Sequence, residues 1–144
     1  MQKIDEKLQL MNTIAKIYRG SIKEFNNRLG KLMNLSYLDF SILKATSEEP
    51  RSMVYLANRY FVTQSAITAA VDKLEAKGLV RRIRDSKDRR IVIVEITPKG
   101  RQVLLEANEV LRNLVNEMLS DVENVEELLE GLNKILSRIG SSKD

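Results

Sequence analysis

The 144-residue chain has no cysteine, no histidine and no tryptophan. Without cysteine there is no disulfide scaffold, no thiolate metal site and no thiol nucleophile. Without histidine the commonest catalytic base and the commonest metal ligand are both missing. Aromatic residues are 5% of the chain, too few for a stacking platform on single-stranded nucleic acid. No apolar run reaches the roughly 18 residues that a membrane span needs. The N-terminal MQKIDEKLQLM carries charge where a signal peptide carries an apolar core. Neither a glycine-rich phosphate loop nor a paired-acid motif is present. The expectation is a cytoplasmic protein that is not an enzyme and uses no cofactor and no metal.

What is present is segregated charge. The net charge is +4. The decapeptide 81–90, RRIRDSKDRR, alone carries six basic and two acidic residues, while residues 101–144 carry five and nine. A cationic segment of this density is an electrostatic contact for a polyanion.

Ile4, Leu8, Met11, Ala15, Tyr18, Ile22, Phe25 and Leu29 recur at spacings of four and three, one face of a long helix. Gly30 is expected just past its end. Ser36-Tyr37-Leu38-Asp39 has a capping-box outline and opens a second helix, which Glu48-Glu49-Pro50 ends. Ser52 caps a short helix over 53–60, and Thr63 caps the next, from Gln64 to about Lys77, with Ile67, Ala70, Val71 and Leu74 inward. Gly78 ends it in a left-handed conformation. Two short helices so closely joined outline a helix-turn-helix. Residues 79–84 and 90–96, rich in Val, Ile and Arg, read as a hairpin with its tip at Asp85–Arg89. Thr97-Pro98 starts another helix, striped by Val103, Leu104, Ala107, Val110, Leu111, Leu114, Val115 and Met118. A last helix carries Val125, Leu128, Leu129, Leu132, Ile135, Leu136 and Ile139.

The fold class is therefore mainly α. Residues 36–97 form a winged helix-turn-helix DNA-binding domain. Residues 1–35 and 98–140 form a helical dimerisation region, and 141–144 a flexible tail. The outer helices have little domain left to cover, so their apolar stripes are expected to pack between two chains. The residues expected at that interface are Ile4, Leu8, Met11, Leu114, Met118, Leu128, Leu132 and Ile135.

Several motifs are similar to those of MarR-type (multiple-antibiotic-resistance) transcription regulators. They are Tyr55-Leu56-Ala57, then Thr63-Gln64-Ser65-Ala66-Ile67-Thr68, then the run from Val71 through Gly78 to Val80. Most diagnostic is Asp88-Arg89-Arg90 followed by Ile96-Thr97-Pro98-Lys99-Gly100, which fits the family's wing signature. The resemblance spans about residues 5–140. It implies a homodimer on pseudo-palindromic promoter DNA. It also implies response to a small phenolic or aromatic carboxylate effector bound between the dimer helices and the DNA-binding head.

On that basis Thr63, Gln64, Ser65, Thr68 and Ala69 are expected to face the major groove, where the N-terminal residues of a recognition helix reach base edges. Arg84, Lys87, Arg89 and Arg90 are expected on phosphates or in the minor groove. The family pattern favours Arg90 for the minor groove, with Arg89 as its rival. Asp88 reads as a turn residue or as the group that orients a neighbouring arginine. Lys16 and Arg19, with Tyr37, are candidates for an effector site. The competing reading is a winged helix used for protein–protein assembly without sequence-specific DNA reading.

Overall fold

The computed structural model describes residues 5–140; Ile4 and the tail 141–144 lie outside the described residues. The elements run α1 (Glu6–Met33), α2 (Tyr37–Glu48), β1 (Arg51–Ser52), α3 (Met53–Arg59), α4 (Gln64–Ala76), β2 (Val80–Arg84), β3 (Val92–Ile96), α5 (Pro98–Met118) and α6 (Val125–Arg138). The chain divides into two compact units, 1–111 and 112–144.

In the first unit, Asp5 opens α1 by accepting from the Lys7 and Leu8 N–H groups. The helix runs through Gly30, contrary to the sequence expectation, and stops at Asn34. Asn34 takes the left-handed conformation (φ 54°) and donates to the Leu29 and Gly30 carbonyls. Asn tolerates this geometry because its short polar side chain bonds locally. Of the α1 stripe only Leu29 is buried; Ala15, Ile22 and Phe25 are half-buried, and Leu8, Met11 and Tyr18 are exposed.

Ser36 and Asp39 close a complete capping box at α2: the Asp39 N–H donates to Ser36 Oγ (2.9 Å) and the Ser36 N–H donates to Asp39 Oδ2 (2.8 Å). The Asp39 side chain is 3% exposed and also accepts from Lys73 Nζ of α4 at 2.9 Å. One carboxylate thus starts α2 and fastens α4 to it.

Phe40, Ile42 and Leu43 of α2 join Leu56 of α3, Ile67, Val71 and Leu74 of α4, and Val80 and Val94 of the sheet in one core. Leu104, Ala107 and Leu111 of α5 complete it, so the core reaches beyond 36–97 into the outer helices. The sheet has the order β1-β3-β2, all antiparallel, with Ile83 opposite Ile93 and Arg51 opposite Val94. The two-residue β1 is invisible to a period-2 reading.

Two glycines are dictated by geometry. Gly78 has φ +75° and turns the chain from α4 into β2. A Cβ on Gly100 would lie inside contact distance of the Leu79 carbonyl oxygen and 2.8 Å from Ile96 Cγ1. The first turn of α5 packs directly on the start of β2 there. Thr97 secures the junction: its Oγ1 donates to the Gly78 carbonyl (2.6 Å) and accepts from the Gly100 N–H (3.0 Å).

In the second unit, Asn124 caps α6 by accepting from the Glu127 N–H. Glu126 and Glu127 in the first turn and Arg138 in the last complement the helix dipole. No residue of α6 is buried, and its apolar face (Val125, Leu128, Leu129, Leu132, Leu136, Ile139) stays exposed. Leu114, expected at an interface between chains, is only 4% exposed in the single chain.

Candidate nucleic-acid interface

The N-terminal half of α4 and the β2–β3 hairpin form the candidate interface. Thr63 has extended backbone and its hydroxyl accepts from the Ala66 N–H (3.1 Å), which fixes the start of α4. With Ile67, Ala70, Val71 and Leu74 buried, Thr63, Gln64, Ser65, Thr68 and Ala69 are all exposed. The helical period alone separates the two sets.

The hairpin tip is longer than expected. Arg90 and Ile91 lie outside β3, because the Ile91 N–H donates to the Asp88 carbonyl and the Asp85 N–H donates to the Ile91 carbonyl (both 3.0 Å). This turn closes the tip before the ladder begins at Val92. Asp85 Oδ2 accepts from the Lys87 and Asp88 N–H groups, stiffening the near side.

The tip's cations differ in their partners. Asp88 accepts from Arg90 three times: from its backbone N–H (3.0 Å), its Nε (3.1 Å) and its Nη2 (3.0 Å). The Asp88 carboxyl is held below its ordinary range by the Arg90 side chain and then by the Arg90 backbone, and Arg90 is pushed up in return. The Arg90 side chain is nevertheless 90% exposed, with Nη1 unused by the pair. Arg84 Nη1 donates across the hairpin to the Arg89 carbonyl (3.1 Å). Among the described residues, the Lys87 and Arg89 side chains have no hydrogen-bond or ion-pair partner.

Two further arginines of the basic run are tied inward. Arg81 forms a two-pronged pair with Glu95 on β3 (3.2 Å each), which pushes its pKa up. Arg82 binds Asp72 of α4 and reaches Glu75 at 3.5 Å, while its backbone N–H donates to Glu75 Oε2 (3.0 Å). These links between β2 and α4 were missed in sequence. The available signal was Asp72 and Glu75, three apart on the flank of α4, facing an arginine-rich strand.

A groove of about 480 Å³ brings three of the expected residues together: Gln64 and Thr68 of α4 and Arg90 of the hairpin. Its remaining walls are Ser52, Met53, Val54, Ile91 and Val92. The α3 contribution had no distinctive sequence signal.

The expected effector trio does not meet in the cavity that Tyr37 lines. Tyr37 is half-buried between Phe25 and Phe40, with ring centroids 5.0 and 5.8 Å away. Burial and then the nearby Tyr18 push its pKa up. The cavity it lines, about 130 Å³, is walled by Ser41, Lys44, Tyr55, Arg59 and Tyr60 among others, and by neither Lys16 nor Arg19. Both cations lie exposed on α1. No described helix is long and apolar enough to cross a membrane, and no group of three or more Asp or Glu among the described residues is placed to hold a metal ion.

A model of the MarR family matches residues 33–91, the span from the end of α1 to the hairpin tip. The uncharacterized HTH-type transcriptional regulator YpoP of Bacillus subtilis is 35% identical over 104 residues, 70% of this chain and 74% of that protein. The HTH-type transcriptional regulator SarZ of Staphylococcus saprophyticus is 28% identical over 126 residues, 87% of this chain and 81% of its own. Among solved structures, Sco3205, a MarR family regulator from Streptomyces coelicolor crystallised with DNA, superposes with a TM-score of 0.79. It is 22% identical, over 97% of this chain and 89% of that one. Sequence kinship to YpoP and the winged helix-turn-helix architecture agree: the chain belongs to the MarR family of winged-helix transcriptional regulators.

Proposed function

We propose that the chain acts as a homodimeric, sequence-specific regulator on double-stranded promoter DNA, with α4 in the major groove and the hairpin as a wing in the minor groove. The observation that carries this reading is the shared groove of Gln64, Thr68 and Arg90. It joins a polar helix face of base-reading chemistry to a guanidinium held ready by Asp88. Gln64 hydrogen-bonds adenine, Ser65 and Thr68 serve bases or phosphates, and Ala69 touches a thymine methyl. Arg90, rather than Arg89, enters the minor groove because it alone of the two has a fixed orientation. Arg84, Lys87 and Arg89 neutralise phosphates.

Functionally, 36–97 is the DNA-binding head, and 1–35 with 98–140 the dimerisation region. The exposed apolar residues Leu8 and Met11 of α1, Met118 of α5, and Leu128 and Leu132 of α6 support this. Two heads related by a dyad would meet successive major grooves about 34–36 Å apart.

For a small phenolic or aromatic effector, a groove of about 340 Å³ is a second candidate beside Lys16, Arg19 and Tyr37. Leu32, Met33, Leu35, Leu79 and Val103 wall it, with Lys77, Lys99 and the acidic Glu106 at its polar side; the two ammonium groups donate to the Asn34 and Lys77 carbonyls. Its size is that of a small-ligand pocket.

Selection of bound duplexes from a random pool, at stated salt, tests the main reading. The expected result is a motif with approximate dyad symmetry and an affinity that falls steeply with salt. Absence of any selected duplex, or a flat salt response, would return the chain to the protein-assembly reading.

A further inference from the structure

We propose that Phe61 is a DNA-contact residue, its ring packing on deoxyribose faces at the edge of the groove that α4 enters; this rests on the function proposed above. Phe61 lies in the turn between α3 and α4 and is 95% exposed. Its φ is 54°, left-handed backbone that bulky residues rarely adopt. The turn has a clear purpose. It brings Val62 onto the core, with the Val62 N–H donating to the Ala57 carbonyl (3.1 Å), and sets Thr63 as the cap of α4. Glycine serves that purpose without strain. A phenylalanine that is both strained and wholly in water is explained by a contact outside the chain.

The surroundings identify the partner. From Pro50 to Val71 the chain has no acidic residue, and the two glutamates that end α2, Glu48 and Glu49, are paired with Arg51 at 2.9 and 2.8 Å. The ring stands two residues before Thr63, at the end of α4 that exposes Gln64 and Ser65. A neutral ring there meets the apolar part of the DNA backbone, the sugar, beside the duplex that the exposed start of α4 faces.

Phe61→Gly and Phe61→Asn both accommodate the left-handed backbone, and Phe61→Tyr keeps the ring. The probe is a duplex selected by the unmodified protein from a random pool. Phe61→Gly and Phe61→Asn are expected to melt no lower than the parent, and Phe61→Gly to bind about tenfold more weakly. The slope of affinity against salt should not change, since a neutral ring releases no counterion. Phe61→Tyr should bind as the parent does. Equal affinity of the Gly and Asn variants would overturn the proposal and leave the ring for a protein partner. A weaker salt slope in those variants would overturn it too, as an electrostatic effect. If the parent selects no duplex, the functional reading itself falls; if it does and the variants bind equally, only the role of Phe61 falls.

Discussion

Arg90 is the side chain on which the wing's role turns. Its pairing with Asp88 orients the guanidinium without hiding it. Arg90→Ala should therefore weaken binding to a selected duplex by about 1–3 kcal/mol and relax preference where the wing lies. Lys87 has no such partner. Lys87→Ala should lower affinity alike for all sequences and reduce the salt slope by about one; fluorescence anisotropy across a salt series reads both. The Asp88–Arg90 pair also has a pH signature. The carboxyl is held low by its hydrogen bonds from Arg90, so its stabilising share is present above the unfolded value of about 4 and is lost as pH falls through the folded one. The difference in melting temperature between the parent and Asp88→Asn should stay constant down to about pH 5 and shrink below about pH 4.

At the scale of elements, the joint between α4, β2 and α5 is the least tolerant. Gly100→Ala places a methyl against the Leu79 carbonyl and Ile96. It should destabilise the protein by about 3 kcal/mol, read by denaturant unfolding. Most elements were legible because each carries a local signal: Ser36–Asp39 and Thr63 as caps, Gly78 as a stop, Thr97-Pro98 as a start. What escaped had none. β1 is two residues long, and Asn34 rather than Gly30 ends α1 because either residue accepts left-handed backbone. The site was legible as sets, the exposed face of α4 and the cationic tip. Their joining with α3 in one groove, and the anchoring of Arg81 and Arg82, depend on tertiary pairing that spacing does not encode. Lys16 and Arg19 were placed by adjacency to a stripe, which says nothing about which neighbouring element comes near.

For the whole molecule, the unburied leucines of α6 bear on oligomeric state. An amphipathic helix with no buried residue exposes apolar area that water disfavours. If the proposed homodimer forms through α6, the doubly substituted Leu128→Glu/Leu132→Glu chain should sediment as a monomer at concentrations where the parent sediments as a dimer. It should lose most of its affinity for a two-half-site duplex while binding a single half-site as the parent's head does. Arg82 has a further consequence. By clasping Asp72 and Glu75 it ties β2 to the flank of α4. With DNA as the partner of the proposed function, this tie sets the spacing between the exposed start of α4 and the hairpin tip, so Arg82→Ala should loosen that spacing before it changes any contacting side chain.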